Sequence, residues 1–258
     1  MVYSGKQRKN AILERIHQNG HVLVKELADE MQISEATVRR DLKALSSSQE
    51  VELIYGGATT KRGSDSSFRF KSQRNREAKH VVGELAAGLV HNADQLFMDS
   101  GTTTFEMAGF LKSQRAVSVI VNSIRLAEEL SGAPDRTVIV LGGQYRADRM
   151  DMVGPLAISS IDQLRGYRAF IGADGLSMDF GLTASDIESA HLYRLVIQNA
   201  RETILAVDHT KFAAPSLYKI VDWTSITKVV TDTPPTPEWQ AFLSARSIAL
   251  VFPQAQNL

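Results

Sequence analysis

Apolar positions recur in two different rhythms along the chain. Up to about residue 58 they fall three and four apart, the spacing that puts side chains on one face of a helix. Ile12, Leu13 and Ile16 predict an amphipathic helix over 6–18, ended at Asn19-Gly20. A short Val22-Leu23-Val24 stretch leads to a second helix over 25–31, with Leu27, Ala28 and Met31 inward. A third starts after Ser34, whose hydroxyl suits an N-cap and whose neighbour Glu35 suits the positive end of a helix. Its inward positions are Ile33, Val38, Leu42 and Leu45, and a strand at 51–55 with the glycine turn Gly56-Gly57 follows. From about residue 95 the rhythm changes to short β-branched runs at 95–99, 117–121, 137–141, 169–171, 203–207, 228–231 and 248–251. Helix-length amphipathic segments such as 103–112, 123–131 and 185–200 separate most of them. Alternation of that kind predicts a mainly parallel sheet covered by helices on both faces.

Between the two rhythms, 61–67 is polar and turn-rich. A helix over 72–90 follows, with Val81, Val82, Leu85, Ala86 and Leu89 on one stripe. The expected organisation is a small module over 1–60, a linker over 61–79 and a larger α/β domain over 80–258. At 43% hydrophobic and 22% charged residues the chain has the composition of a folded globular protein. With no cysteine, disulfide scaffolds, thiolate metal sites and cysteine nucleophiles are all excluded. No apolar run approaches the roughly 20 residues that span a bilayer. The basic start lacks the apolar core of a secretion signal, so a cytoplasmic location is expected.

The net charge of zero hides a segregation of charge. Residues 61–79 hold seven basic and two acidic side chains, net +5, whereas 80–258 hold fourteen basic and nineteen acidic, net −5. Anion binding is therefore expected toward the front of the chain, the alternative being a solvated basic linker.

Two short helices joined by a tight turn, the second opening with small polar residues and then arginines, predict a helix-turn-helix. Its second helix enters the major groove of duplex DNA by its N-terminus. Ser34, Glu35, Ala36, Thr37, Arg39, Arg40 and Lys43 lie off the apolar side of that helix. Short hydroxyls let the backbone approach, a methyl at Ala36 or Thr37 suits thymine, and the arginines suit phosphate or guanine. The strand and glycine turn, with Tyr55, read as a wing beside the helices. The segment resembles the N-terminal domain of the DeoR family of bacterial transcriptional repressors. The resemblance runs from Val24-Lys25-Glu26-Leu27-Ala28 through Thr37-Val38-Arg39-Arg40-Asp41-Leu42 to Tyr55-Gly56-Gly57-Ala58. Where that family has a glycine turn and then an arginine in the wing, this chain has Gln49 and Leu53. The wing is thus expected to touch DNA weakly through Leu53, the alternative being that Leu53 packs inward.

In the second half the chemistry gathers at strand ends. Asp99, Ser100, Gly101, Thr102, Thr103 and Thr104 follow one strand and open a helix, a combination suited to cradling phosphate on free amides and hydroxyls. It is not a Walker loop, because no Gly-Lys-Ser/Thr follows. Asn122-Ser123, Gly142-Gly143, Gly172-Ala173-Asp174-Gly175 and Asp208-His209-Thr210-Lys211-Phe212 stand at four other strand ends. An open parallel sheet binds ligands at its carboxyl edge. The expected ligand is a phosphorylated polyol, with Lys211 and the threonine turn on the phosphate and Asp99, Asp174 and Asn122 on hydroxyls. This half resembles the family's C-terminal effector domain, which is similar in fold to ribose-5-phosphate isomerase. The resemblance includes Gly181-Leu182-Thr183 with Glu188, adds Glu188 to the candidate effector residues, and implies sensing of a phosphorylated sugar.

The expected fold class is α/β: an N-terminal winged helix-turn-helix joined to a larger open parallel-sheet domain. The expected function is a repressor of a carbohydrate-metabolism operon, without catalysis, cofactor or metal. Operator DNA and a phosphorylated sugar are its expected partners. A homodimer or homotetramer is expected because two-fold proteins read palindromic half-sites. An isomerase carrying a DNA-binding module is the alternative, with Asp174, Glu188 and Lys211 as acid–base groups. Against it, no lysine follows the Gly-Ala-Asp turn in Gly175-Leu176-Ser177-Met178-Asp179-Phe180. His17 and His21 are four apart across a helix break and read poorly as metal ligands. His191 and His209 read as local hydrogen-bonding groups, Trp223 and Trp239 as packing residues, and Arg146 and Arg149 as members of a solvated loop.

Overall fold

A computed structural model describes residues 4–19, 21–48, 51–54, 56–60, 66–111, 114–132, 135–147 and 149–254. Gly20, Gln49, Tyr55 and the 61–65 part of the expected linker lie outside the described residues, as do the side chains of His17 and His21. The chain divides into two compact units, Met1–Phe70 and Lys71–Leu258. No helix among the described residues is long and apolar enough to cross a membrane.

The first unit runs α1 (Gly5–Asn19), β1 (His21–Leu23), α2 (Val24–Met31), α3 (Glu35–Ser47), β2 (Val51–Ile54) and β3 (Gly57–Thr60). Gln32 ends α2 in the left-handed region, at φ 53°, and Ser34 begins α3 by accepting a hydrogen bond from the Thr37 amide at 3.2 Å. Ile12, Ile16, Leu27, Val38, Leu42, Leu45, Val51 and Ala58 share one core, so the apolar spacing read from the sequence is the packing surface. The strands form an antiparallel sheet in the order β1-β3-β2. Ile54 pairs with Gly57, and Gly56 before it adopts φ 76°. Gly57 is where β1 presses on the hairpin: a Cβ there would lie 1.9 Å from the Val22 carbonyl oxygen.

Asp41 shows why an acid follows the two arginines of α3. It is only 7% exposed, and its carboxylate receives Arg8 Nε at 2.6 Å, pinning α1 to α3. Removing one partner leaves the other charge poorly solvated. Asp41→Ala should lower amide-exchange protection in α1 and α3 of the full chain by about 30-fold, equivalent to about 2 kcal/mol. Unchanged protection would show that the pair does not hold these helices together.

The helix α4 (Ser66–Gln73) crosses the division in sequence, and the second unit continues with α5 (Arg76–Ala87), β4 (Gln95–Met98), α6 (Thr102–Phe110), β5 (Ser118–Val121), α7 (Ile124–Leu130) and β6 (Thr137–Val140). Then come β7 (Gln144–Arg146), β8 (Asp151–Val153), α8 (Pro155–Asp162), β9 (Arg168–Ile171), β10 (Gly175–Ser177), β11 (Gly181–Ala184) and α9 (Ile187–Asn199). The last elements are β12 (Glu202–Ala206), a 3-10 turn at His209–Phe212, β13 (Tyr218–Val221), a second turn at Trp223–Ser225, β14 (Lys228–Val230), α10 (Pro237–Ser244) and β15 (Ala249–Val251). Seven strands make one parallel sheet in the order β15-β14-β12-β9-β4-β5-β6. Side chains alternate between its faces. Leu96 and Met98 join the core under α5 and α6, while Phe97 joins the core that holds α8 and α9.

From β4 the chain steps outward to β5 and β6, then returns to β9 and steps the other way to β12, β14 and β15. The order therefore reverses between β4 and β9, a switch point of the kind at which open sheets bind ligands. Two features differ from the expectation. The helix expected over 72–90 is interrupted at Asn75, which adopts φ 53° and sends its side chain to Asp208 and Thr210. Antiparallel pieces, β7 with β8 and the small sheet β10-β11-β13, lie outside the parallel sheet. Their strands of three or four residues are too short to show an alternation.

Candidate functional site

The exposed surface of α3 is built from its first two turns. Ser34, Glu35, Ala36, Arg39, Arg40 and Lys43 are exposed and Thr37 is half-buried. Thr37 Oγ1 shares a 2.9 Å hydrogen bond with Ser34 Oγ, and Arg39 pairs with Glu35 at 2.7 Å, one turn back. An exposed pair at that spacing is weak, so Arg39 is free to change partners. Arg40 has no side-chain partner among the described residues. Leu53 sits on β2 opposite Ala58, 48% exposed and outside the core of the unit, so the inward-packing alternative does not hold. Tyr55 lies outside the described residues.

In the second unit the strand-end residues gather along one edge of the sheet, and several of them bond within the fold. Asp99 is turned inward. Its carboxylate accepts hydrogen bonds from the Gly172 amide at 2.8 Å, the Gly101 amide at 3.1 Å and the Thr104 hydroxyl. With both oxygens engaged by the fold, it joins the ends of β4 and β9 across the switch point. The Thr104 hydroxyl is spent there too. Ser100 donates to Asp151 at 3.1 Å and shares a 2.9 Å bond with Tyr193. Thr102 and Thr103, with the first amides of α6, make no side-chain hydrogen bond among the described residues, and Gly101 provides no side-chain cap.

Asn122 is buried, donates to the Met152 carbonyl at 3.2 Å, and leaves its Oδ1 without a partner among the described residues. Ser123 caps α7 through the Leu126 amide. Gly142 is exposed, while Gly143 lies tight beneath the Val153 carbonyl and Gly175 beneath that of Ala214. Both of these glycines serve close packing. Asp174 accepts from the Ser185 amide at 2.8 Å and from Lys71 Nζ at 3.1 Å. Lys211 stands half-buried in the turn after β12, its amide bonded to the Asp208 carbonyl.

Glu188 is exposed, 3.8 Å from Arg146. Arg146 itself is no solvated loop residue: it donates to Asp151 at 2.7 and 2.8 Å, to Asp186 at 2.8 Å and to Ser189 at 3.0 Å, and Arg149 also pairs with Asp186. These arginines pin the β7–β8 hairpin to α9, a pairing across 40 residues that no local pattern reveals. His209 is held by Asp232 through both Nδ1 and its amide, each at 2.7 Å, and Trp223 and Trp239 pack edge to face. No cluster of metal-binding side chains occurs among the described residues.

The residues missed by the sequence reading come from the expected linker. Lys79 is 5% exposed and donates to the carbonyls of Lys71 and of Arg74, the latter at 2.8 Å. Burial pushes its pKa down to about 8, with Lys211, Lys71 and Arg74 adding repulsion and Asp208 opposing them. Lys79, Val82, Gly83 and Ala86 fall on one buried stripe, a spacing that could have marked this lysine as interior. Burial alone would raise Asp174, but the Lys71 charge and the Ser185 bonds outweigh it and hold it well below the usual carboxylate range. Burial pushes Asp99 upward in spite of its three donors.

With this geometry, both units match known families. The DeoR-like helix-turn-helix domain covers residues 8–62, and the DeoR C terminal sensor domain covers residues 74–233. The chain belongs to the DeoR family. It is 28% identical over 245 residues to the glycerol-3-phosphate regulon repressor of Escherichia coli (strain K12), covering 95% of this chain and 97% of that one. It is likewise 28% identical over 248 residues to the transcriptional repressor GlcR of Bacillus subtilis (strain 168), covering 95% of each. Among solved structures, ribose 5-phosphate isomerase A from Methanocaldococcus jannaschii aligns with 54% of this chain and 55% of its own, at 18% identity and a TM-score of 0.39. That likeness is too loose to argue from.

A DeoR-type wing with an exposed leucine can accept a cation. Leu53→Arg should leave the melting temperature of the chain nearly unchanged, within about 0.5 kcal/mol of stability, as surface changes do. It should also tighten binding to arbitrary duplex DNA and steepen the salt dependence by about 0.9 in log–log slope, one added phosphate contact. A large fall in melting temperature would mean that Leu53 is a packing residue after all.

Proposed function

We propose that this DeoR-family protein is a repressor of a carbohydrate-metabolism operon, released from or driven onto its operator by a phosphorylated sugar. The observation that carries the reading is the gathering of Lys71, Arg74, Lys79 and Lys211 around Asp208, at the carboxyl ends of the strands beside the switch point. Four cations against one or two carboxylates leave a local positive excess, and a buried lysine with a lowered pKa is one whose counter-ion is missing. A phosphate dianion supplies it. Two strand spacings, about 10 Å, separate the end of β12, where Lys211 stands, from the end of β4 and the start of α6. A phosphosugar suits that span, its hydroxyls facing Thr102, Thr103, Asp174 and Asn122. Operator DNA is read by α3 through Ser34, Thr37, Arg39, Arg40 and Lys43. The chain works as a two-fold dimer or tetramer in the cytoplasm, because a helix-turn-helix reads paired half-sites.

Protonation gives the test. Lys79 titrates near 8 in the free protein, and an adjacent phosphate favours its charged form. Binding at pH 8 should therefore take up as much as about half a proton, read by calorimetry in buffers of different ionisation enthalpy. The ligand releases none, since its own second pKa is about 6. Affinity should be greatest below pH 8 and fall by up to about tenfold per pH unit above it. Lys79→Gln should abolish the uptake. Lys211→Ala should weaken sugar-phosphate binding without changing operator affinity in its absence, because Lys211 belongs to the sensor unit. If no sugar phosphate alters operator binding in fluorescence anisotropy, the reading fails.

A further inference from the structure

The chain passes from one unit to the other inside α4: Phe70 is the last residue of the first unit and Lys71 the first of the second. The end of this helix is fastened by three sets of bonds. Lys71 Nζ lies 3.1 Å from Asp174 Oδ1. Lys79 caps the carbonyls of Lys71 and Arg74, orphans of the last turn and the bend after it. Asn75 donates to Asp208 Oδ1 at 3.2 Å and to Thr210 Oγ1 at 3.3 Å. Every acceptor side chain in this set belongs to a strand end of the proposed effector cleft. Two of the donors, Lys71 and Lys79, are among the cations that would meet a phosphate.

These bonds are made to be exchanged. The side chains of Lys71 and Asp174 are 47% and 29% exposed, so water reaches the pair and can replace either partner, although Lys71 helps hold Asp174 ionised. Lys79 spends its charge on neutral carbonyls, and a charged acceptor makes a hydrogen bond roughly twice as strong. A phosphate ester arriving here competes for both lysines at once. Asp174, left without Lys71, needs a new donor, and a hydroxyl of the same ligand provides one. Inorganic phosphate brings no such hydroxyl chain. A ligand moves the equilibrium only through such differences in contact between the two states.

We propose that the Lys71–Asp174 ion pair is an effector-sensitive latch on α4, opened when a sugar phosphate takes Lys71 with its phosphate and Asp174 with a hydroxyl. Opening loosens the last turn of α4, the segment through which the sensor unit continues into the DNA-reading unit. The latch rests on the effector reading above and deepens it: occupancy is sensed by the connector itself.

The test is amide exchange of residues 66–73 in the full chain, measured by mass spectrometry with ribose 5-phosphate, glucose 6-phosphate, glycerol 3-phosphate or inorganic phosphate. Calorimetry run alongside shows which of them binds. An ester that binds should raise exchange in 66–73 about threefold, and inorganic phosphate should do so far less. Asp174→Asn keeps an acceptor for the Ser185 amide and should show the raised exchange with no ligand at all. Lys71→Gln should do the same, and the double variant should go no further than either single one, as expected for two residues acting through one bond. An ester that binds, with heat lost in Lys211→Ala, while exchange in 66–73 stays unchanged, overturns the latch and leaves the effector site standing. So does wild-type exchange in unliganded Asp174→Asn. No heat with any of the three esters overturns both.

Discussion

One buried carboxylate sets the geometry of the second unit. Asp99 stands where the strand order reverses, and its oxygens accept from Gly101 on its own turn, from Thr104 in α6 and from Gly172 at the end of β9. A carboxylate taken out of water is costly unless such donors replace the lost solvent. Here their positions are also the positions of the switch point. The N-cap of α6 is Gly101, which has no side chain to offer, so the helix begins without a side-chain cap. Gly101 and Gly172 both lie close against the carboxylate: a Cβ would come within 3.0 Å of Asp99 Oδ1 at the first and 3.3 Å of Oδ2 at the second. The glycines that look like a phosphate loop are thus equally the price of burying the acid that organises it.

The same economy governs Lys79. Burial alone favours its neutral form, and the neighbouring cations push the same way. A lysine whose folded-state pKa lies below its unfolded value opposes folding at low pH. That penalty is complete below about pH 8 and fades as pH rises toward the unfolded value near 10.4. Capping the carbonyls at the end of α4 offsets part of the penalty. A site that is electrostatically unfavourable when empty is one in which binding and stability are linked.

How much of this was legible in the sequence depended on range. All seven strands of the parallel sheet fall within one residue of the β-branched runs; the inner ones are covered on both faces and so apolar at consecutive positions, while the edge strand β6 is exposed. The helix-turn-helix was legible for a related reason: Ser34 caps α3 locally, and the apolar spacing of Val38, Leu42 and Leu45 is the core. Arg146 was misread, since its partners Asp186 and Ser189 lie 40 and 43 residues away and only the fold brings them together. Asp99 stands at the sheet edge that the strand ends predict, and its bonds to Gly101, Thr104 and Gly172 are invisible in the sequence, because residue type does not tell which backbone a carboxylate faces. The linker was misread by averaging: +5 over 61–79 suggested a solvated or DNA-facing stretch, while Lys79 carried the spacing of an interior residue.

Averaging also hides where the sensor unit is positive. At the amino ends of the strands every cation has a carboxylate partner: Arg168 meets Asp94 at 2.9 Å and Glu202 at 2.6 Å, Arg201 meets Asp94, and Lys228 meets Glu202. Three cations and two carboxylates form a closed chain there, with the Leu89 carbonyl taking a further Arg168 donor. At the carboxyl ends Lys71, Arg74, Lys79 and Lys211 face Asp174 and Asp208, and the cations are not all answered by carboxylates. Three of the carboxyl-edge cations come from the basic 61–79 stretch and Lys211 from the acidic remainder, so net charge by segment does not mark this edge. What distinguishes them is pairing. At one edge the cations end on carboxylates within the fold; at the other a buried lysine ends on backbone carbonyls.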